Sequence, residues 1–155
     1  MNREPIADGL FTWPDDNPAL IGGRCAACDR FTFPMRTGCP YCGATAMRRH
    51  LLGRHGTLWT WTSQGFVPKA PFSGQFSDPD DFAPWFVGLI ALPGQLRLES
   101  LLVDCDQDHL TIGMPMRLVI TPFRTVSPGS EIVTFAFAPD SSVPAPANAT
   151  EVSHA

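Results

Sequence analysis

Arg24 to Gly43 reads RCAACDRFTFPMRTGCPYCG, and this stretch decides the fold. Cys25 and Cys28 form one Cys-x-x-Cys pair, Cys39 and Cys42 form another, and ten residues separate them. Two tight knuckles at that spacing close four thiolates tetrahedrally around one ion, which predicts a structural zinc ribbon. The second knuckle carries its own turn chemistry. Pro40 presets φ inside it, and Gly43 is free to take φ > 0. Two readings compete. Disulfides need an oxidising compartment, for which nothing in the chain argues. Iron suits a Cys-Pro-x-Cys-Gly knuckle, but the sequence offers no electron-transfer site, and closed tetrathiolate sites of this kind are more often zinc.

Working outward, 155 residues with 44% hydrophobic content are enough for one substantial core and one satellite module. No apolar run approaches the ~18–20 residues that span a bilayer. The opening MNREPIADGL has no apolar signal region, so a cytoplasmic location with reduced thiols is expected. Net charge is −4, with Lys69 the single lysine, which disfavours a broad phosphate-binding face. Sixteen prolines and thirteen glycines mark short strands and turns.

Residues 1–18 form an arm carrying Leu10, Phe11 and Trp13, too few to make a core of their own. Either the chain's own sheet or a partner covers them, and the sequence leaves both open. Residues 19–46 are the ribbon, with Phe31-Thr-Phe33 as a strand between the knuckles and Arg24, Arg30 and Arg36 on it as a solvated rim or, alternatively, as anion-binding groups. From Met47 the pattern turns to long β-type runs. Met47 to Thr62 reads as one long strand bent at Gly53 and Gly56. Trp85–Leu92 and Leu96–Val103 form a hairpin about Pro93-Gly94, and Met116–Ile120 and Glu131–Ala138 complete five strands. A five-stranded antiparallel meander over 47–138 is most economically a small closed barrel of the OB type, because closure removes exposed edges. The expected fold class is therefore all-β, a rubredoxin-like zinc ribbon followed by an OB-fold barrel, with a disordered tail over 139–155.

These residues carry a resemblance. Gly23-Arg-Cys-Ala-Ala-Cys28, Phe33-Pro34, Cys39-Pro-Tyr-Cys-Gly43, Gly56-Thr-Leu-Trp-Thr-Trp-Thr62, Leu101-Leu-Val-Asp-Cys-Asp106 and Leu110-Thr-Ile-Gly-Met-Pro-Met116 together resemble the family that joins a rubredoxin-like zinc ribbon to an OB-fold. The resemblance spans about residues 19–138. It implies a non-catalytic accessory subunit, hetero-oligomeric with a thiolase, a thiolase-like acyltransferase, a retro-aldolase or another acyl-CoA enzyme. The partner carries the catalytic nucleophile, and this chain stabilises it and helps to bind the CoA ester. Single-stranded nucleic-acid binding by a ribbon plus OB-fold is the alternative, which the acidic balance disfavours.

Three stretches supply the remaining candidates. The loop Gly65 to Pro84, a departure from the family pattern, holds Phe66, Phe72, Phe76 and Phe82. Those rings either cap the barrel mouth or line an acyl channel or, with Leu10, Phe11 and Trp13, grip a partner. Arg48, Arg49 and Arg54, beside His50 and His55, form a basic cluster that is either a solvated strand surface or a seat for CoA phosphates. Cys105 and His109 are the one nucleophile–base pair outside the ribbon. A strand-end cysteine after Leu-Leu-Val reads as a small buried hydrophobe, so no catalytic residue is assigned.

Overall fold

The computed structural model describes residues 2–72, 74, 80 and 82–142. Among these residues nine strands run in chain order: β1 (Asn2–Pro5), β2 (Ile21–Cys25), β3 (Phe31–Thr32), β4 (Met47–Leu51), β5 (His55–Gln64), β6 (Trp85–Ala91), β7 (Arg97–Leu102), β8 (Pro115–Ser127) and β9 (Ser130–Pro139). Among the described residues the single helical element is a 3-10 turn, Gln107–His109. Among the described residues no helix is long and apolar enough to cross a membrane.

The ribbon is a three-stranded sheet in the order β3-β2-β4. β4 was expected to open the barrel as the first half of a bent strand. It pairs instead with β2, from Ile21 opposite Leu51 to Cys25 opposite Met47. The chain turns at Gly53, whose amide donates to the Gln95 side chain at 2.8 Å, and β5 starts a second sheet. The bend was legible in the glycines; the change of sheet was not, because both halves carry β-type residues and only pairing distinguishes them.

The barrel closes in the cyclic order β5-β6-β7-β9-β8 and back to β5. The expected antiparallel meander is corrected at two joints: β7 neighbours β9 rather than β8, and β8 rather than β9 closes onto β5. β7 and β9 run parallel, meeting at Leu102 opposite Phe137, with Val103 N–H donating to Phe137 O at 3.0 Å. This is the Greek-key closure of a five-stranded OB barrel, with the connection through the 3-10 turn carrying β8 across to β5. Gly56 sits where β5 crosses close to β6. A Cβ there would lie 2.6 Å from the Ala91 carbonyl oxygen, so no larger residue fits without moving backbone. The core gathers Leu58, Ile90, Met116, Val133 and Phe137, each fully buried.

The hairpin β8–β9 is longer than the sequence pattern implied. Pro122 and the mixed polar run after it hide the continuation, and the ladder absorbs Pro122 with a register shift before Arg124. β9 runs through Pro139, and the buried Asp140 follows it into the fold, so the barrel ends later than residue 138. Residues 143–155 of the expected tail lie outside the described residues.

The arm also belongs to the fold. β1 adds to β9 in parallel, an edge strand invisible to hydrophobic alternation because Asn-Arg-Glu-Pro has none. Arg3 Nε meets Glu131 Oε2 at 2.9 Å, and Trp13 Nε1 donates to Arg3 O at 3.1 Å. Phe11 bridges to Leu20 and is 4% exposed. Of the two covers the sequence allowed for Phe11, the chain's own core is the one observed; Leu10 and Trp13 pack half-buried beside it.

Candidate metal centre

The two knuckles have the same local geometry. Asp29 N–H donates to Cys25 O and Gly43 N–H to Cys39 O, each at 2.9 Å. The residue after each second cysteine is left-handed, with φ 64° at Asp29 and 75° at Gly43. Glycine enters that region freely. Aspartate is one of the few other residues that tolerate it. Asp29 is further fixed by Arg24, whose Nε and Nη2 reach its two carboxylate oxygens at 2.7 and 2.9 Å. Sequence spacing missed this clamp, although an Asp in the position equivalent to Gly43 was its signal.

None of the five cysteines is in a disulfide. The sulfurs of Cys25, Cys28, Cys39 and Cys42 lie within 4.8 Å of one another, with Cys25–Cys42 at 3.7 Å and Cys28–Cys39 at 3.6 Å. A tetrahedron with Zn–S bonds of about 2.3 Å has edges of about 3.8 Å, so the donor set fits one zinc ion. Cys25 and Cys39 are buried, Cys28 is half-buried and Cys42 is exposed. At Cys39 burial opposes ionisation, yet the Tyr41 and Cys42 amides and two neighbouring sulfurs outweigh it and bring the thiol down to about 7. At Cys28 the Arg30 amide favours the thiolate, but burial and the other three sulfurs push the thiol up to about 12. Four sulfurs this close do not all ionise without a cation among them. The site is closed, with four protein ligands and no open position for a substrate.

The basic cluster divides. Arg48 stands directly opposite Arg24 across β4 and β2, and with Arg49 and His50 these residues line one pocket beside the first knuckle. Arg24 is neutralised by Asp29. Arg54 is committed elsewhere: its Nη1 donates to Asn17 Oδ1, its backbone carbonyl accepts from Leu118, and its Nε is buried without a partner.

Of the loop aromatics, Phe66 is 71% exposed. Phe72 stacks on Trp85 at 5.6 Å and meets Phe123 edge-on, and Phe82 lies 5.8 Å from Trp85, so these two cap the end of the barrel. Phe76 lies outside the described residues.

Cys105 and His109 have separate surroundings. Burial pushes the Cys105 thiol up, with the Asp106 and Asp104 carboxylates adding to it. His109 Nδ1 is 2.6 Å from Asp106 Oδ1, and this hydrogen bond holds the Asp106 carboxyl below its ordinary range. Asp106 also caps the 3-10 turn by accepting from the Asp108 and His109 amides. The arrangement shapes a turn.

Known proteins resemble the chain along both modules. The model of the ChsH2 rubredoxin-like zinc ribbon domain matches residues 12–48, and that of the ChsH2 C-terminal OB-fold domain matches residues 50–121. A DUF35 domain-containing scaffold protein of Methanocaldococcus jannaschii is 28% identical over 121 residues, 76% of this chain and 78% of that protein. A protein of the same description from Methanothermobacter thermautotrophicus is 29% identical over 106 residues, 68% of this chain and 74% of its own length. Among solved structures, a chain of the Ltp2-ChsH2(DUF35) aldolase superposes with a TM-score of 0.55 at 26% identity, covering 78% of this chain and 84% of that one.

Proposed function

Because the chain belongs to the family that joins a ChsH2-type rubredoxin-like zinc ribbon to an OB-fold, we propose that it is a non-catalytic accessory subunit. Its partner is a thiolase-like or aldolase enzyme that makes or breaks a carbon–carbon bond in acyl-CoA thioesters. The observation that carries this reading is the match to a chain of an aldolase assembly over most of both lengths. The scaffold description of the two archaeal relatives supports it. The site chemistry is in keeping: a closed zinc knuckle stabilises a fold, and the Cys105 region lacks an activated nucleophile.

Within that role, the exposed Phe66 is the partner-facing aromatic of the loop, the type of residue that anchors stable interfaces, while Phe72 and Phe82 support it from the barrel cap they form with Trp85. Leu10 and Trp13 contribute by holding the arm in place, and Phe11 by filling the core. Arg48 and Arg49 are the contacts for CoA phosphates. Arg54 leaves that set because Asn17 already holds it. The test is co-purification from the native organism, followed by assay of the separated subunits. The reading requires a partner of thiolase size, acyl-CoA turnover in the complex, and none in this chain alone. Turnover by the isolated chain that disappears in Cys105→Ala would overturn it.

A further inference from the structure

Between the ribbon and the β6–β7 hairpin lies an open groove of about 830 Å³. Its two walls repeat one motif. On the ribbon side the Arg30 guanidinium sits over the Tyr41 ring, 4.8 Å from its centroid. On the barrel side the Arg97 guanidinium sits over the Trp59 ring, 3.5 Å from its centroid. Phe31 and Leu96 belong to the lining between them.

Trp59 is placed there by a local irregularity. In the β5–β6 ladder Leu58 pairs with Ile90 and Thr60 with Leu89, so Trp59 is the extra residue of a β-bulge. A bulge re-aims a side chain at a cost in ladder hydrogen bonding, and such bulges concentrate beside functional sites. Here it leaves a tryptophan 49% exposed, facing a tyrosine-bearing wall that is 54% exposed at Tyr41. A core-filling role explains neither ring.

The charge is arranged to match. Among the described residues, neither Arg30 nor Arg97 forms an ion pair, so the in-plane N–H donors of both stacked guanidinium groups stay available. Asp29, the one carboxylate among the described lining residues, has both oxygens on Arg24. In a chain of net charge −4, this groove is locally cationic. A bare phosphate would use the guanidinium groups and leave the rings idle, and an apolar chain would use the rings and desolvate the arginines. A planar base joined to phosphate uses both, by stacking and by charge-assisted hydrogen bonds.

We propose that this groove binds a nucleotide, with the base stacked against the Trp59 and Tyr41 walls and the phosphates held by Arg30 and Arg97. The inference stands on the groove alone and holds whether or not the accessory-subunit reading does. A free nucleotide and a residue of a single strand present the same chemistry, and the test separates them.

Zinc-loaded full-length chain is titrated at low salt with ADP, with inorganic phosphate, and with a single-stranded oligodeoxyadenylate of about 12 nucleotides, an OB-fold site size. Calorimetry and tryptophan fluorescence are the readouts. Saturable ADP binding is expected, with phosphate much weaker. Trp59→Ala and Arg97→Gln should each weaken ADP about tenfold, and Trp59→Phe should restore most of it. Both positions are exposed, and an unchanged thermal unfolding midpoint together with unchanged zinc stoichiometry certifies the fold of the variants. Oligonucleotide binding much tighter than ADP, falling steeply with salt, identifies a single strand as the source; equal affinity per site identifies the free nucleotide. Phosphate binding as tightly as ADP, affinities that ignore both substitutions, or no binding of ADP or the oligonucleotide at millimolar concentration would overturn the proposal.

Discussion

Phe11→Ala tests whether the N-terminal arm is part of the core or a tether for a partner. The ring is 4% exposed, meets Trp13 edge-on at 6.3 Å, and sits where the arm hydrogen-bonds into the ribbon entry. There Thr12 N–H donates to Ala19 O and Ile21 N–H to Leu10 O, at 2.9 and 2.8 Å. Removing it deletes a buried aromatic and leaves a cavity that the strands on either side cannot fill. Substitutions of this kind cost about 3–5 kcal/mol. In a chain of this size each kcal/mol moves the midpoint by about 2–4 °C, so the melting temperature should drop by about 6–20 °C. Against a total stability of about 5–15 kcal/mol, that is a loss of about a fifth or more. The assay is thermal and urea unfolding of the zinc-loaded chain, with Phe66→Ala as the exposed control expected within about 0.5 kcal/mol of the parent. A Phe11→Ala variant as stable as that control, but unable to hold the partner, would refute the arm's assignment to the core.

Cys39→Ser should lose the zinc and unfold the ribbon, since structural zinc contributes on the order of 10–16 kcal/mol in finger peptides, while Cys105→Ser keeps one zinc per chain by elemental analysis. Gly56→Val should fail to close the barrel, because the added atoms meet the Ala91 carbonyl and Ile90; retention of the parent's unfolding midpoint would contradict that crossing. Asp140 has its carboxyl held below the ordinary range by the Ser142 hydroxyl and by His55 at 2.8 Å. Its contribution is therefore fully present above the unfolded carboxylate pKa of about 3.9 and is lost as pH falls through the lower folded value. Asp140→Asn should flatten the acid limb of a stability–pH curve and leave it unchanged near neutrality in slope. Phe66→Ala should weaken co-purification of the partner without moving zinc content, and undiminished binding would remove Phe66 from the interface.

The zinc centre was legible in the sequence because its information is local. Each knuckle is closed by residues three apart, and Gly43 takes the left-handed φ that its turn demands. The β6–β7 hairpin was legible for the same reason, with Pro93-Gly94 joining two apolar strands. Pairings between segments distant in the chain were not legible. The parallel joint of β7 with β9, the transfer of β4 to the ribbon, and the addition of β1 to β9 depend on backbone hydrogen bonds, to which side-chain periodicity is blind. The basic cluster shows the same limit: Arg48, Arg49 and Arg54 are neighbours in sequence, but the turn at Gly53 sends Arg54 to Asn17 and leaves Arg48 facing Arg24. The Trp59–Arg97 stack joins a bulge on one strand to the start of another, so tertiary structure alone brings that tryptophan and that arginine together. Composition and spacing determined which ion is bound and which two modules are built; the closure of the barrel decided which side chains meet between them.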